Sequence, residues 1–355
     1  MRFSCARLRA WVQTGPLLAV VVVLAALLWL VYQLLHPYQG FTEPVTIVVA
    51  QGMSKHAIAT RLEATGVLSY RLPLLVYAYL QPHRTLKAGE YRFEEPISPV
   101  RLFTKLERGE VHLYAFTIPE GFSMFDIAIA AEDLQLASRE AFLEAAKDTS
   151  LIADLAPEAE TLEGYLFPDT YHFARPAEPR QMVRAMVTRF REVWTNLSRT
   201  ARPSPNPYQV KLSPHQLVTL ASLVEKETSE PGERGPIAAV FYNRLKHKLA
   251  LQCDPTVIYA ARLAGAYDGV INVSDLARDS PYNTYRHVGL PPGPIANPGR
   301  ASLEAVLNPP ITRYLYFVSN TEGGHVFART GAEHARNVAH YRLRAQKEKA
   351  AKNKR

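Results

Sequence analysis

From Leu17 to Tyr32 the chain is an unbroken apolar run, and Leu34 and Leu35 extend it past Gln33. About nineteen residues at ~1.5 Å each reach about 28 Å, enough to cross the hydrocarbon core of a bilayer. The pattern therefore predicts a transmembrane helix over residues 15–36, with Trp29 and Tyr32 near the end where aromatic rings favour headgroups. The period then changes. Thr46–Ala50 is a short β-rich run, followed by Gly52 and a helical pattern through Ile58 and Leu62 to Gly66. The same order recurs at Phe116–Ser123, followed by Ile127 and Ala128. Both stretches read as strand, glycine turn and helix, with Ser54 and Ser123 as N-caps. Between them, Lys87–Phe93 reads as a strand and Pro99–Glu107 as a helix. Glu140–Ala156 is expected to be helical, Leu162–Tyr171 a loop and strand, and residues 201–207, with three prolines, a linker.

Further on, Leu217, Val218, Leu220, Leu223 and Val224 repeat at the spacing of a buried helical stripe. At about 100° per residue, Lys226 points away from that stripe, Glu225 lies near its edge and Glu227 falls between Leu220 and Leu223. A carboxyl held against apolar neighbours resists ionisation and can deliver a proton near neutral pH. The same two glutamates could instead lie on a solvated flank. Phe241–Leu245 reads as a helix end, and Leu251–Tyr259 sets Gln252, Asp254 and Thr256 around a proline turn that Asp254 could cap. Ser280–Tyr285 and Gly289–Gly299 form a long irregular segment that is too aromatic and apolar for disorder. Arg313–Ser319 predicts a buried strand and Gly323–Phe327 a hairpin beyond it.

Charge and cysteine change the picture in two places. The net charge of +8 is concentrated at the ends: three arginines precede the apolar run, and seven basic residues against one acid follow from Arg342. The body between is near neutral, which is not a nucleic-acid footprint. With Arg2, Arg7 and Arg9 before the run and no Lys or Arg after it until Lys55, the positive-inside rule puts residues 1–14 in the cytoplasm and the remainder outside. That is the expectation for a single-pass protein of the cytoplasmic (inner) membrane, with a cleaved signal peptide as the alternative. Cys5 and Cys253 then lie on opposite sides and cannot pair in one molecule. Roughly 310 outer residues are ample for a stabilising core. No His, Cys or Asp grouping has metal-ligand spacing, His325, His334 and His340 being too scattered, and no phosphate-binding glycine loop is present, so no cofactor is expected.

The set LEGYLFPDTY (Leu162–Tyr171), ASLVEKET (Ala221–Thr228), LQCDPTVIY (Leu251–Tyr259), SPYNTY (Ser280–Tyr285) and GLPPGPIANPG (Gly289–Gly299), ending in YLYFVSNTEGGHVF, resembles the YceG-like family of endolytic murein transglycosylases. Cys253 departs from it, standing where a Thr or similar residue is expected. The resemblance implies an α+β chain with a LysM-like subdomain over 42–135, a catalytic domain over 136–345 carrying its acid on a helix, and a basic tail over 346–355. It implies a lyase that cuts the β-1,4 bond between N-acetylmuramic acid and N-acetylglucosamine without water, leaving 1,6-anhydro ends and terminating or trimming nascent strands. Glu227, immediately before Thr228, takes the role of acid and base. Glu225, Asn243, Gln252, Asp254, Thr256, Tyr282, Asn283, Thr284 and Tyr285 become candidates for holding the sugars or orienting the acid. Partners implied are peptidoglycan strands and the synthases that make them. Two other readings remain, a wall-binding scaffold without catalysis, and a two-carboxylate hydrolase pairing Glu227 with Glu163 or Asp254.

Overall fold

Serine caps set where five of the helices begin: Ser54, Ser98, Ser123, Ser138 and Ser213 each accept the backbone N–H three residues on. At Ser123 and Ser213 the third residue, Asp126 or Gln216, reaches back to the cap and completes a capping box. The computed structural model describes residues 5–200, 208 and 210–352, the side chains of 5–16 and 348–352 excepted. The linker expected over 201–207 lies outside the described residues, as do the side chains of the N-terminal arginines and most of the basic tail.

The chain divides into two units at Tyr114/Ala115. The first begins with α1 (Cys5–Leu35), whose Leu17–Leu35 portion is long and apolar enough to cross a membrane. It continues as β1 (Val45–Val49), α2 (Lys55–Ala64), α3 (Arg71–Tyr79), β2 (Gly89–Phe93) and α4 (Pro99–Arg108). β1 and β2 pair antiparallel with Ile47 opposite Tyr91 and Thr46 opposite Arg92. Alternation then sends Ile47, Val49, Tyr91 and Phe93 inward, where they pack with Ile58, Leu62, Leu74, Leu102, Phe103 and Leu106.

The second unit opens at β3 (Tyr114–Thr117), followed by α5 (Met124–Asp133) and α6 (Arg139–Ala145). The division leaves residues 115–135, grouped by sequence with the preceding module, in the second unit, where α5 packs on α6. The helix expected over Glu140–Ala156 is broken. It stops at Ala145, Asp148 caps a separate 3₁₀ turn at Thr149–Ile152 through the Ser150 N–H, and Ala146 gives its carbonyl to Leu162. β4 (Thr170–Phe173) pairs with β3. Then come α7 (Pro179–Thr200), α8 (Pro214–Glu227), α9 (Arg234–Lys246), α10 (Asp254–Leu263), the short α11 (Val273–Leu276) and α12 (Arg300–Leu307). The antiparallel ribbon β5 (Tyr316–Ser319) and β6 (His325–Ala328) and α13 (Gly331–Lys352) complete the described chain.

Two expectations need correction. Leu251–Tyr259 is not a turn: Pro255 sits in the first turn of α10, where its missing N–H is harmless, and Asp254 is the first helical residue rather than a cap. β5 is half-buried rather than buried, since a two-stranded ribbon has only one face to cover. The chain is a mixed α+β protein with one N-terminal apolar helix.

Candidate active site

The stripe expected on α8 is in fact a full girdle: every residue from Val218 to Val224 is buried, Thr219 and Ser222 included. α9, α10 and α12 supply its surroundings, with α12 and α9 its main neighbours. The polar residues inside are satisfied locally. The Thr219 hydroxyl donates to the His215 carbonyl, and Ser222 donates to the Thr219 carbonyl while accepting the Ile295 N–H. Such a helix has no flank, so the helical wheel could not rank its two acids.

Glu225 and Glu227 leave the helix toward different neighbourhoods. The Glu225 side chain is only 5 % exposed; it accepts the Gly299 N–H at the start of α12 and pairs with Arg234 at 3.4 Å. There its charge also faces the positive end of the α12 dipole. Arg234 donates to Ser302 as well, so this carboxylate ties three helices together. Glu225→Gln is expected to cost about 2 kcal/mol of stability, the scale of a charged hydrogen bond. The folded fraction should keep its activity; urea unfolding beside a turnover assay checks both.

Glu227 is the last residue of α8, and Thr228 turns the chain out in extended conformation. The residue as a whole is half-buried, and desolvation of its carboxyl pushes its pKa above the usual carboxylate range. The neighbouring Asp254 charge works in the same direction; a hydrogen bond from the Cys253 thiol and the charges of His325 and Arg244 oppose it. Burial also pushes the Cys253 thiol itself up, so it stays a neutral donor.

The turn that carries Cys253 is held from inside. Gln252 adopts a left-handed conformation (φ 50°) with its N–H on the Thr284 carbonyl. The Cys253 N–H goes to the Thr284 hydroxyl, and the Cys253 carbonyl accepts the Thr256 hydroxyl at 2.6 Å. Thr256 and Thr284 share a further hydrogen bond, both fully enclosed. Asn283 is enclosed too, donating to the Leu276 and Arg278 carbonyls, and Asn243 donates to those of Thr312 and Tyr314. Of the candidates named from sequence, Glu225, Asn243, Thr256, Asn283 and Thr284 thus spend their polar atoms on the frame. Gln252, Asp254 and Tyr285 are exposed around Glu227, with the Tyr285 hydroxyl on Asp254. Tyr282 is half-buried against the Tyr259 ring.

Three further groups went unnoticed in the sequence. His215 holds the Gly289–Gly299 segment: its Nε2 lies 3.0 Å from the Pro292 carbonyl, which only accepts, and its Nδ1 lies 2.8 Å from the Tyr165 hydroxyl. Asn297 accepts the Leu166 N–H and donates to Phe122 and to Glu163. Glu163, read from sequence as a possible second carboxylate, is sealed inside. It accepts from Met124 N–H, Asn297 and Tyr259, and burial raises its pKa to about 8. Gly164 beside it has φ 86°, and a Cβ there would meet Pro294 at 2.5 Å, so only glycine lets the two segments close.

The third group is Glu233 with His325. The Glu233 carboxylate, held below the usual range because hydrogen bonds from His325 outweigh desolvation, accepts the His325 N–H and its ring Nδ1, each at 2.6 Å. It also accepts the hydroxyl of Thr228, the residue after Glu227. A Cβ at Gly324 would stand 2.7 Å from this carboxylate, so the second glycine of the hairpin is the space Glu233 occupies. The Glu-Thr and Gly-Gly-His spellings were visible in sequence, but nothing in either says that they meet. No group of three His, Cys, Asp or Glu side chains among the described residues is placed to hold a metal ion.

A half-buried acid thus ends a helix enclosed from Val218 to Val224, beside exposed Gln252, Asp254 and Tyr285. The profile of the YceG-like family matches residues 47–340. The chain is 35 % identical over 306 residues to a Bacillus subtilis (strain 168) protein named endolytic murein transglycosylase, with 82 % of each covered. It is 33 % identical over 330 residues to one of the same name from Streptococcus pneumoniae D39, covering 84 % of this chain and 58 % of that relative. A crystal structure of a yceG-like protein from Listeria monocytogenes shares 33 % identity and a TM-score of 0.54, over 83 % of this chain and 99 % of that one. The chain belongs to the YceG-like family.

Proposed function

We propose that this protein is an endolytic murein transglycosylase, a lyase acting within peptidoglycan strands, and that Glu227 is its acid and base. The observation that carries the reading is an acid at the end of α8, raised by desolvation and set beside exposed Gln252, Asp254 and Tyr285, in a chain whose named relatives are such enzymes. The protonated Glu227 carboxyl gives its proton to the oxygen leaving with N-acetylglucosamine as the C1–O bond breaks. The muramic 6-hydroxyl then closes on C1 and its proton passes to the carboxylate, restoring Glu227. No water is consumed, so the second carboxylate of ordinary glycosidases is not required. Gln252, Asp254, Tyr282 and Tyr285 are the side chains placed to meet sugar.

His325 is read as a positioning residue. Glu233 accepts the hydrogen bond of its Nδ1–H and fixes the ring where it opposes the rise in the Glu227 pKa, favouring the carboxylate between the two proton transfers. His325→Gln should therefore slow turnover by about tenfold, less than the hundredfold or more of a direct oxyanion donor. It should also move the alkaline limb of the rate profile upward, because a group that lowers the pKa of Glu227 has gone. A slowed variant with an unmoved limb would make His325 purely structural.

The remaining parts of the reading are topological. α1 anchors the protein in the cytoplasmic membrane with its N-terminus inside and everything after about Gln33 outside, and β1, the Gly52 turn and the Ser54-capped α2 support a LysM-like, glycan-gripping first unit. Work beside peptidoglycan synthases follows from a substrate that such enzymes make. Incubating the full chain in detergent with purified sacculi and weighing the released fragments is the test. Anhydro ends support the reading, ends heavier by one water mean a hydrolase, and binding without fragments means a scaffold.

A further inference from the structure

α3 is apolar from end to end: between Ser69 and Pro82 the only charge is Arg71. Its inner side joins the first unit's core through Leu74 and Ala78, yet Leu72 is 55 %, Tyr79 84 % and Leu80 68 % exposed. Leu72 and Tyr79, seven residues apart, share one face, so the exposure is a stripe and not scattered leucines.

Two observations say what covers this stripe. First, α3 starts against α1: the Tyr70 and Trp29 rings lie 5.8 Å apart, and the Ser69 hydroxyl donates to Gln33. Trp29 precedes the outer end of the apolar run, Leu35, by six residues, or ~9 Å of helix. The first turn of α3 is thereby held at a depth where the bilayer still presents acyl chain and headgroup.

Second, both ends of α3 are closed by charged side chains of α2. Glu63 accepts the Arg71 N–H at 3.0 Å and pairs with its guanidinium, while Lys55 donates to the Ala78 and Gln81 carbonyls at 3.3 and 3.2 Å. An acid at the N-terminus and a base at the C-terminus suit the helix dipole. They also satisfy end groups that water would otherwise serve, which matters where water is scarce.

We infer that α3 is an interfacial helix whose Leu72–Tyr79 stripe rests in the headgroup–acyl boundary of the outer leaflet of the membrane that α1 crosses. This rests on the reading of α1 as an anchor. The aromatic and aliphatic side chains would bury a shallow apolar strip. The first unit is then a fixed foot on the membrane surface and not a bead on a tether.

The test uses the full chain in phosphatidylcholine nanodiscs, with Cys5→Ser and one added cysteine carrying a polarity-sensitive NBD dye. Leu72→Cys and Tyr79→Cys report on the stripe, Val31→Cys on the anchor, and Glu95→Cys on an exposed polar turn. The expected result is blue-shifted emission at 72 and 79, lost when the lipid carries a doxyl quencher near the headgroup and protected from aqueous iodide, with neither effect at 95. Quenching at 31 while 72 and 79 behave like 95 would overturn the inference and leave the anchor intact. Protection from iodide without doxyl quenching would also overturn it, since a protein surface would then be the cover. No quenching at 31 would remove the anchor reading and this inference together.

Discussion

Replacing Glu227 with Gln should leave the fold standing and reduce fragment release from sacculi by at least the 10²–10⁴-fold typical of losing a general acid. The exchange keeps shape and volume. Its carbonyl oxygen can still accept the Cys253 thiol, and no buried carboxyl is left without its partner. What disappears is a proton that can leave and return. Circular dichroism and sedimentation with peptidoglycan should match the wild type, and mass spectrometry should find no anhydro ends. Wild-type product yield from this variant would remove Glu227 from the mechanism. In the native enzyme, turnover should fall at a pH above the ordinary carboxylate range, because desolvation keeps Glu227 protonated beyond it.

The second large effect concerns stability and involves Glu163. The unfolded chain loses this proton near the ordinary glutamate value of 4.5, whereas the folded protein holds it to about 8. Between those values the folded state binds more protons, so each unit rise in pH costs the fold about 1.4 kcal/mol through this one group. The contribution is fully present below 4.5 and lost as pH rises toward 8. Glu163→Gln should remove it. The amide carbonyl can accept from Met124 N–H and Asn297, and the amide nitrogen can donate to the Tyr259 hydroxyl, which can turn from donor to acceptor. Near pH 5 variant and wild type should unfold at similar urea concentrations; by pH 8 the variant should be the more stable. Parallel pH dependences would mean that Glu163 is ionised in the native state and that its donors outweigh its burial.

Local chemistry was legible in the sequence wherever one element sufficed. The caps at Ser54 and Ser123, the alternating β1 and β2, the long apolar run and the irregular Gly289–Gly299 segment all follow from near neighbours. Asp254-Pro255 misled because Pro in a first helical turn and Pro in a loop are spelled alike. α8 misled differently: its apolar spacing suggested one buried face, but Thr219 and Ser222 are enclosed because their hydroxyls find partners one turn back in the same helix. A hydropathy reading counts those residues as exposed. The polar candidates divided along a line that sequence cannot draw. Asn243, Thr256, Asn283 and Thr284 are enclosed and Gln252, Asp254 and Tyr285 open, although all are polar residues in the same motifs. The Glu233–His325 contact joins positions 92 residues apart, and the Asn297–Glu163 contact positions 134 apart. Such pairings exist only once the chain has folded.

The enclosed thiol of Cys253 touches the Glu227 carboxyl, and it is the free cysteine among the described side chains. An alkylating reagent can reach it only when the side chains that enclose it swing aside. With Cys5 replaced, the rate at which iodoacetamide caps that sulfur is a clock for how often the neighbourhood of Glu227 breathes, read at one atom and without substrate.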